Sequence, residues 1–72
     1  MARVQVLSEV SGSIWKIEAA VGAQLGADDT ILIIESMKME IPVASPRAGR
    51  LVELRVAEGE AVKEGQVVAV IE

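Results

Sequence analysis

The stretch ILIIESMKMEIPV, residues 31–43, determines how the rest of the sequence is interpreted. Its two apolar segments, residues 31–34 and 41–43, have the length and β-branched composition of short strands. We therefore predict that the chain reverses direction across Met37 and Lys38. Tight hairpins prefer Asn-Gly or Asp-Gly at this point, because both central residues need a positive φ. Met and Lys break that rule at a cost of about 1–3 kcal/mol of strain, which is typical of a functional constraint.

The residues on either side of this turn are two copies of one pattern. Residues 3–35 and 40–72 align at a shift of 37 positions without a gap, and Gly12 falls on Gly49. Apolar positions also coincide: Val4, Ile14, Trp15, Ile17, Ala19, Leu25, Ile31, Ile33 and Ile34 fall on Ile41, Leu51, Val52, Leu54, Val56, Val62, Val68, Val70 and Ile71. Unrelated β-rich segments with similar turn spacing are the alternative, but the joint match of glycines and apolar positions favours an internal duplication.

Each copy consists of short segments that alternate between apolar and polar residues. Trp15, Ile17 and Ala19 show the period of two expected of a half-buried strand, and residues 52–56 repeat it. We therefore expect Trp15 to have a core or half-buried packing role, with a binding aromatic as the alternative. Two four-stranded copies can cover each other's apolar faces. This predicts one all-β domain over residues 1–72: a flattened β-barrel or sandwich of two four-stranded antiparallel sheets with quasi-two-fold symmetry.

Glycines between the segments mark the turns. Gly49 and Gly59 are interpreted as turn residues and not as a phosphate-binding loop. Asp28 stands where the second copy has Gly65, and aspartate tolerates a left-handed backbone better than most residues. We therefore expect both copies to keep this turn.

Composition excludes several classes of protein. The 72 residues contain no cysteine and no histidine, so disulfides, thiolate chemistry, histidine catalysis and the usual zinc or haem ligands are excluded, and we expect no metal site. A net charge of -4 and a single aromatic residue argue against a nucleic-acid partner. The longest apolar run, residues 67–71, is far shorter than the roughly 20 residues of a membrane-spanning helix. We expect no membrane partner and a soluble, cytoplasmic protein.

The turn between the two copies is the candidate functional site. Residues 36–39 present one primary amine, that of Lys38, between the flexible thioethers of Met37 and Met39. Such an amine can be acylated. The alternative is a solvated lysine beside methionines that fill the core. Glu35 and Glu40 flank the turn symmetrically, and we expect them to act in partner recognition or solvation and not in acid–base catalysis.

The motif Glu35-Ser36-Met37-Lys38-Met39-Glu40, with Gly49 after Pro46 and the glycine turns on either side, closely resembles the biotinyl domains of biotin-dependent carboxylases and decarboxylases. The resemblance extends over essentially the whole chain. It implies a biotin carboxyl carrier protein in which Lys38 is the covalent attachment site for biotin and Met37 and Met39 are flanking recognition residues. It also implies two four-stranded antiparallel sheets with the lysine on a hairpin turn.

The resemblance further implies a non-catalytic carrier subunit or domain. By the same resemblance, we expect a biotin-protein ligase to attach biotin to Lys38 and the carrier to take carboxybiotin from a biotin carboxylase to a carboxyltransferase. An acetyl-CoA carboxylase of fatty acid biosynthesis is the expected parent enzyme. Because a lysine amine is protonated in neutral water, we expect the ligase to supply the base that removes this proton.

Two departures from the family pattern and two alternatives accompany this interpretation. Asp28 replaces a common glycine, and the ungapped copies leave no room for the extra loop, or thumb, of some bacterial carriers, which predicts the thumbless type. A lipoyl-bearing carrier domain is one alternative, although its lysine usually lies between Asp and Ala. An unmodified lipoyl-like binding module is the other. Met1 and the lack of an Ala/Pro-rich linker lead us to expect a complete small protein.

Overall fold

The computed structural model describes residues 3–72, and its regular elements are all β-strands. Along the chain they are β1 (Val4–Leu7), β2 (Gly12–Ile17), β3 (Gln24–Leu25), β4 (Thr30–Ser36), β5 (Met39–Ala44), β6 (Gly49–Leu54), β7 (Ala61–Val62) and β8 (Val67–Ile71). One antiparallel sheet has the order β1-β8-β6-β3 and the other β5-β4-β2-β7. The predicted all-β fold of two four-stranded sheets is confirmed. No helix in this range is long and apolar enough to span a membrane.

The strand order shows the internal duplication directly. A shift of 37 residues carries β1 to β4 onto β5 to β8, and it turns the order of one sheet into the order of the other. Backbone hydrogen bonds obey the same relation: Gly22 N donates to Leu51 O at 2.7 Å, and Gly59 N donates to Ile14 O at 2.7 Å. The connections over residues 18–23 and 55–60 have equal length, so neither carries an inserted loop. The quasi-two-fold symmetry is therefore a property of the backbone as well as of the sequence.

The core between the sheets is built from matching positions of the two copies. Ile14 of β2 and Leu51 of β6 occupy equivalent positions in the two sheets, and both side chains are buried in the core. Five further pairs of equivalent positions are buried in both copies: Ala19 with Val56, Leu25 with Val62, Ile31 with Val68, Leu32 with Ala69 and Ile34 with Ile71. Val6 is buried as well, but its equivalent, Val43, is only partly buried. Because each large aliphatic side chain contributes about 1.5–3 kcal/mol when fully buried, this aliphatic layer stabilises the fold without an aromatic residue.

The predicted packing role of Trp15 is wrong. Its side chain is 47% exposed, because a β-bulge interrupts the pairing of β2 with β4 between Ile14 and Lys16. The extra residue moves Trp15 to the outer face, so that Ile14 enters the core in its place. The second copy has the equivalent bulge between Leu51 and Glu53, which explains why Leu51 is buried and the neighbouring Val52 only half-buried.

The turn at Asp28 is confirmed. Asp28 has a φ of 71°, close to the 87° of its equivalent, Gly65. Both amides donate to a matching carbonyl, Asp28 N to Ser45 O at 2.9 Å and Gly65 N to Ser8 O at 2.7 Å. The duplicated hydrogen bond therefore holds an aspartate in a conformation that glycine adopts more easily.

Replacement of Asp28 by glycine is expected to raise the free energy of unfolding by about 0.5–1 kcal/mol, because glycine removes the steric penalty of the left-handed backbone. Urea unfolding of Asp28→Gly and the parent chain measures this difference. Ala27→Gly is a suitable control, since Ala27 is an exposed neighbour of Asp28 and is not among the residues with positive φ. A less stable Asp28→Gly variant would contradict the argument.

Of the two glycines interpreted as turn residues, Gly59 is confirmed and Gly49 is wrong. Gly59 lies in a turn with a φ of 86°, but Gly49 is the first residue of β6 and has no positive φ. A Cβ atom at Gly49 would lie 2.8 Å from Glu72 O, and one at Gly12 would lie closer still to Glu35 O, at 2.4 Å. Both glycines therefore allow two strands to approach closely and do not reverse the chain.

Candidate functional site

Strands β4 and β5 form a hairpin with a two-residue turn. Ser36 and Met39 are the last paired residues, and Met37 and Lys38 between them have φ values of 52° and 66°. Positive φ at both central residues is the geometry of a type I′ turn, which follows the twist of the strands. The predicted reversal across Met37 and Lys38 is confirmed, together with the left-handed backbone that their side chains disfavour.

The side chains at this tip project into solvent. Met37 is 92% exposed and Met39 is 64% exposed, so neither fills the core. Lys38 is exposed as well, and among residues 3–72 its amine forms no hydrogen bond or salt bridge. An amine on a flexible stem between two exposed thioethers can be reached by a large partner from several directions.

The base of the hairpin is held against β2. The pairing of β2 with β4 reaches the hairpin as far as Ser13 and Glu35, and Gly12 lies against the backbone of Glu35. Beyond that pair, the Ser36 hydroxyl donates to Ser11 O at 2.8 Å. Sequence reasoning missed this contact. The acceptor is a backbone carbonyl, so no residue type at position 11 signals this contact in the sequence.

Two carboxylates face each other across the hairpin. Glu35 and Glu40 are directly paired and exposed, and neither takes part in a salt bridge within residues 3–72. The equivalent of Glu35 in the second copy is Glu72, which binds Arg3 at 3.3 Å and Arg50 at 3.9 Å. The fold therefore accommodates an ion pair at this position, and the hairpin has two like charges there instead.

Replacement of Glu40 by arginine is expected to reproduce the Arg3–Glu72 pair at the hairpin. Because like charges directly opposite destabilise a sheet and opposite charges stabilise it, the free energy of unfolding should rise by about 0.2–1 kcal/mol at low salt. Urea unfolding at about 0.02 M and 1 M NaCl measures this gain, which screening should reduce at the higher concentration. Glu9→Arg makes the same charge change at an exposed loop position and is the control. An equal gain in both variants would assign it to net charge alone.

Two grooves lie on the surface formed by residues 3–72, and Lys38 lines neither of them. The groove between β1 and β5 is lined by Leu7, Val10 and Pro42 among others, and none of its lining residues belongs to the turn. Within the described residues, no three Asp or Glu side chains are grouped so that they could hold a metal ion. The tip is thus open to solvent, and Glu35 and Glu40 lie beside it on the same exposed surface.

Comparison with known proteins gives consistent matches over the whole domain. A family model described as "Biotin-requiring enzyme" matches residues 3–71. The biotinylated protein TB7.3 homolog of Mycobacterium leprae is 36% identical over 66 residues, which cover 92% of this chain and 93% of that protein.

Two solved structures are also similar. The urea carboxylase of Kluyveromyces lactis matches with a TM-score of 0.95 and 36% identity over 100% of this chain. A single-chain, multi-domain long-chain acyl-CoA carboxylase matches with a TM-score of 0.89 and 28% identity over 94% of it. The chain spans only 6% and 7% of these two proteins, so it corresponds to one small part of each.

Proposed function

The chain belongs to the family of biotin-requiring enzymes as a biotinyl domain, and from this premise we propose that Lys38 is the residue to which biotin is attached. The domain is a non-catalytic biotin carrier of the kind found in biotin-dependent carboxylases, and its cofactor is covalently attached biotin. One observation supports Lys38 above all: its amine is exposed at the turn of the hairpin and has no partner within the described residues.

The residues at the tip fit a covalently attached cofactor. A primary amine that has lost its proton attacks an activated carboxyl group, and the new C–N bond replaces the bond to the activating group, which leaves. The side chain then no longer carries a positive charge. Lys38 supplies the nitrogen for this bond. Among the described residues no carboxylate contacts its amine, which supports a base provided by a separate biotin-protein ligase. Met37 and Met39 offer apolar contact surface on either side of the amine.

Bound biotin supplies a ureido nitrogen that accepts and releases a carboxyl group. The protein's own contribution is to present the attachment point on a rigid sheet, away from the groove, so that the cofactor can enter other active sites. We propose that these are the sites of a biotin carboxylase and a carboxyltransferase. Attachment raises the effective concentration of the cofactor at both sites.

A cytoplasmic location remains a prediction from the sequence.

The acceptor of the carboxyl group is proposed to be an acyl-CoA, with an acetyl-CoA carboxylase of fatty acid biosynthesis as the parent enzyme. The similarity to a long-chain acyl-CoA carboxylase supports the acyl-CoA class. Urea is the second candidate acceptor, because the similar structure from Kluyveromyces lactis is a urea carboxylase. Carboxylation of a panel of acceptors by the biotinylated chain with its carboxylase partners distinguishes the two. Product from urea but not from any acyl-CoA would overturn the acyl-CoA proposal.

Mass spectrometry after reaction with a biotin-protein ligase, ATP and biotin tests the attachment site. We expect one biotinyl group per chain, located on Lys38 by fragmentation of the modified peptide. Parallel reaction with a lipoyl ligase and lipoate is expected to add nothing. A folded chain that gains no mass, or that carries biotin on Lys16 or Lys63, would overturn the proposal.

A further inference from the structure

The tip of the hairpin has little lateral support from the sheet. Strand β2 pairs with β4 only as far as Ser13 and Glu35, so residues 36–39 lie beyond the last paired residue of the neighbouring strand. Within the described chain, one side-chain bond extends this support, from the Ser36 hydroxyl to Ser11 O at 2.8 Å. The orientation of the turn relative to the sheet therefore depends on a hydrogen bond between residues that are 25 positions apart.

This bond is part of a longer connection. The Ser11 hydroxyl accepts a hydrogen bond from Glu64 N at 3.1 Å, which links the loop before β2 to the turn before β8. That turn is itself closed by Gln66, whose amide donates to Lys63 O at 3.0 Å and whose side chain accepts from Lys63 N at 3.0 Å. Ser11 is therefore held from one side by Glu64 while it holds Ser36 on the other.

The second copy of the pattern shows that the fold does not need the hydrogen bond between Glu64 N and the Ser11 hydroxyl. The close approach at Gly12 is repeated at Gly49, and so it belongs to the fold. At the position of Ser11, however, the second copy has Ala48, and the residue equivalent to Glu64 is Ala27. The hydroxyl of Ser11 is thus present only in the copy that lies beside the modified turn.

We propose that Ser36 and Ser11 are positioning residues that hold the turn in one orientation, so that the amine of Lys38 meets the ligase in a competent geometry. This inference rests on the proposed attachment of biotin to Lys38. Without the Ser36 bond the turn samples more orientations, and the apparent affinity of the ligase falls with the fraction of competent ones. Because the bond is solvent-exposed, water replaces the lost partner and the fold keeps its stability.

Steady-state biotin transfer to the folded chain tests the proposal. Ser36→Ala is expected to raise the ligase's KM for this chain by about three- to tenfold, the range of one net hydrogen bond, and to leave kcat and the urea midpoint unchanged. Ser36→Thr keeps a hydroxyl and should restore the parent KM. Ser11→Ala removes only the bond from Glu64 and should have a smaller effect. Ser13→Ala is the matched control, since Ser13 lies beside Glu35 but its hydroxyl makes no hydrogen bond within the described residues.

Backbone ¹⁵N relaxation provides a readout that does not depend on the ligase. The order parameters of Met37, Lys38 and Met39 are expected to fall in Ser36→Ala and to remain at parent values in Ser13→Ala. An unchanged KM or unchanged order parameters in Ser36→Ala would overturn the proposal, and so would a loss of stability large enough to account for the higher KM. If the parent chain itself accepts no biotin, the proposed function fails, and the relaxation data still decide whether Ser36 orders the turn.

Discussion

Replacement of Lys38 by arginine is expected to abolish biotin incorporation and to leave the stability of the domain unchanged. A guanidinium group stays protonated at neutral pH and does not form the amide, whereas it keeps the charge and the approximate length of the side chain. Lys38 is exposed and makes no contact that the fold needs within the described residues. The mass of the intact variant after treatment with ligase, ATP and biotin, together with its urea midpoint, measures both effects.

Lys16 and Lys63 provide the matched controls, because both are exposed on the same domain. Lys16→Arg and Lys63→Arg are expected to gain one biotinyl group like the parent chain. If Lys38→Arg also gains one, another lysine accepts biotin and the assignment of Lys38 is wrong. If it gains none but unfolds at lower urea concentration, the loss of modification is explained by the fold and not by the missing amine.

The position of the lysine within the turn should matter as much as its presence. In the double variant with Met37→Lys and Lys38→Met, the amine moves by one residue, and successive residues project in different directions. Since misplacement of a reacting group by about 1 Å can lower a rate roughly hundredfold, the initial rate of biotin transfer is expected to fall by that order. A rate equal to that of the parent chain would show that the ligase requires only a lysine somewhere at the tip.

The second large effect is expected from Gly12→Ala. The added Cβ atom would lie 2.4 Å from Glu35 O and 3.0 Å from Ile34 Cγ2, so the backbone of β4 has to move. Overpacking of this kind costs about 1–3 kcal/mol. For a domain of this size each kcal/mol lowers Tm by about 4–8 °C, and thermal unfolding followed by circular dichroism would detect the difference. Gly26→Ala is the control, since its nearest contact, Asp29 Oδ2 at 3.5 Å, is ordinary.

Because Gly12 has an equivalent, Gly49, an effect on stability can be distinguished from an effect on the functional site. In Gly49→Ala the added Cβ atom would lie 2.7 Å from Ile71 Cγ2 and 2.8 Å from Glu72 O. We therefore expect a loss of stability similar to that of Gly12→Ala. Only Gly12 lies against the hairpin that carries Lys38, however. Biotin transfer measured well below both Tm values should therefore slow in Gly12→Ala and remain at the parent rate in Gly49→Ala. Equal rates in the two variants would show that the ligase tolerates a shift at the hairpin base.

Much of the fold was predictable because the sequence contains its pattern twice. The match of apolar positions such as Ile14 with Leu51 indicated two equivalent sheets, since each copy has one apolar face that only the other copy can cover. The turn at Met37 and Lys38 was predictable for a local reason. Two strand-like segments enclosed too few residues for any connection other than a tight hairpin, and such a hairpin requires positive φ.

The sequence by itself therefore determined the class of fold, the symmetry, the location of the turn and the candidate amine of Lys38. Only the tertiary structure decided that Trp15 lies outside, because a single bulge residue exchanges the inner and outer faces of a strand and its place depends on pairing with β4. The same holds for the bond between Ser36 and Ser11 and for the close approach at Gly12. These contacts join residues that are far apart in the chain. Neither the alternation of apolar and polar residues nor the spacing of glycines along the sequence specifies how closely two strands approach after packing.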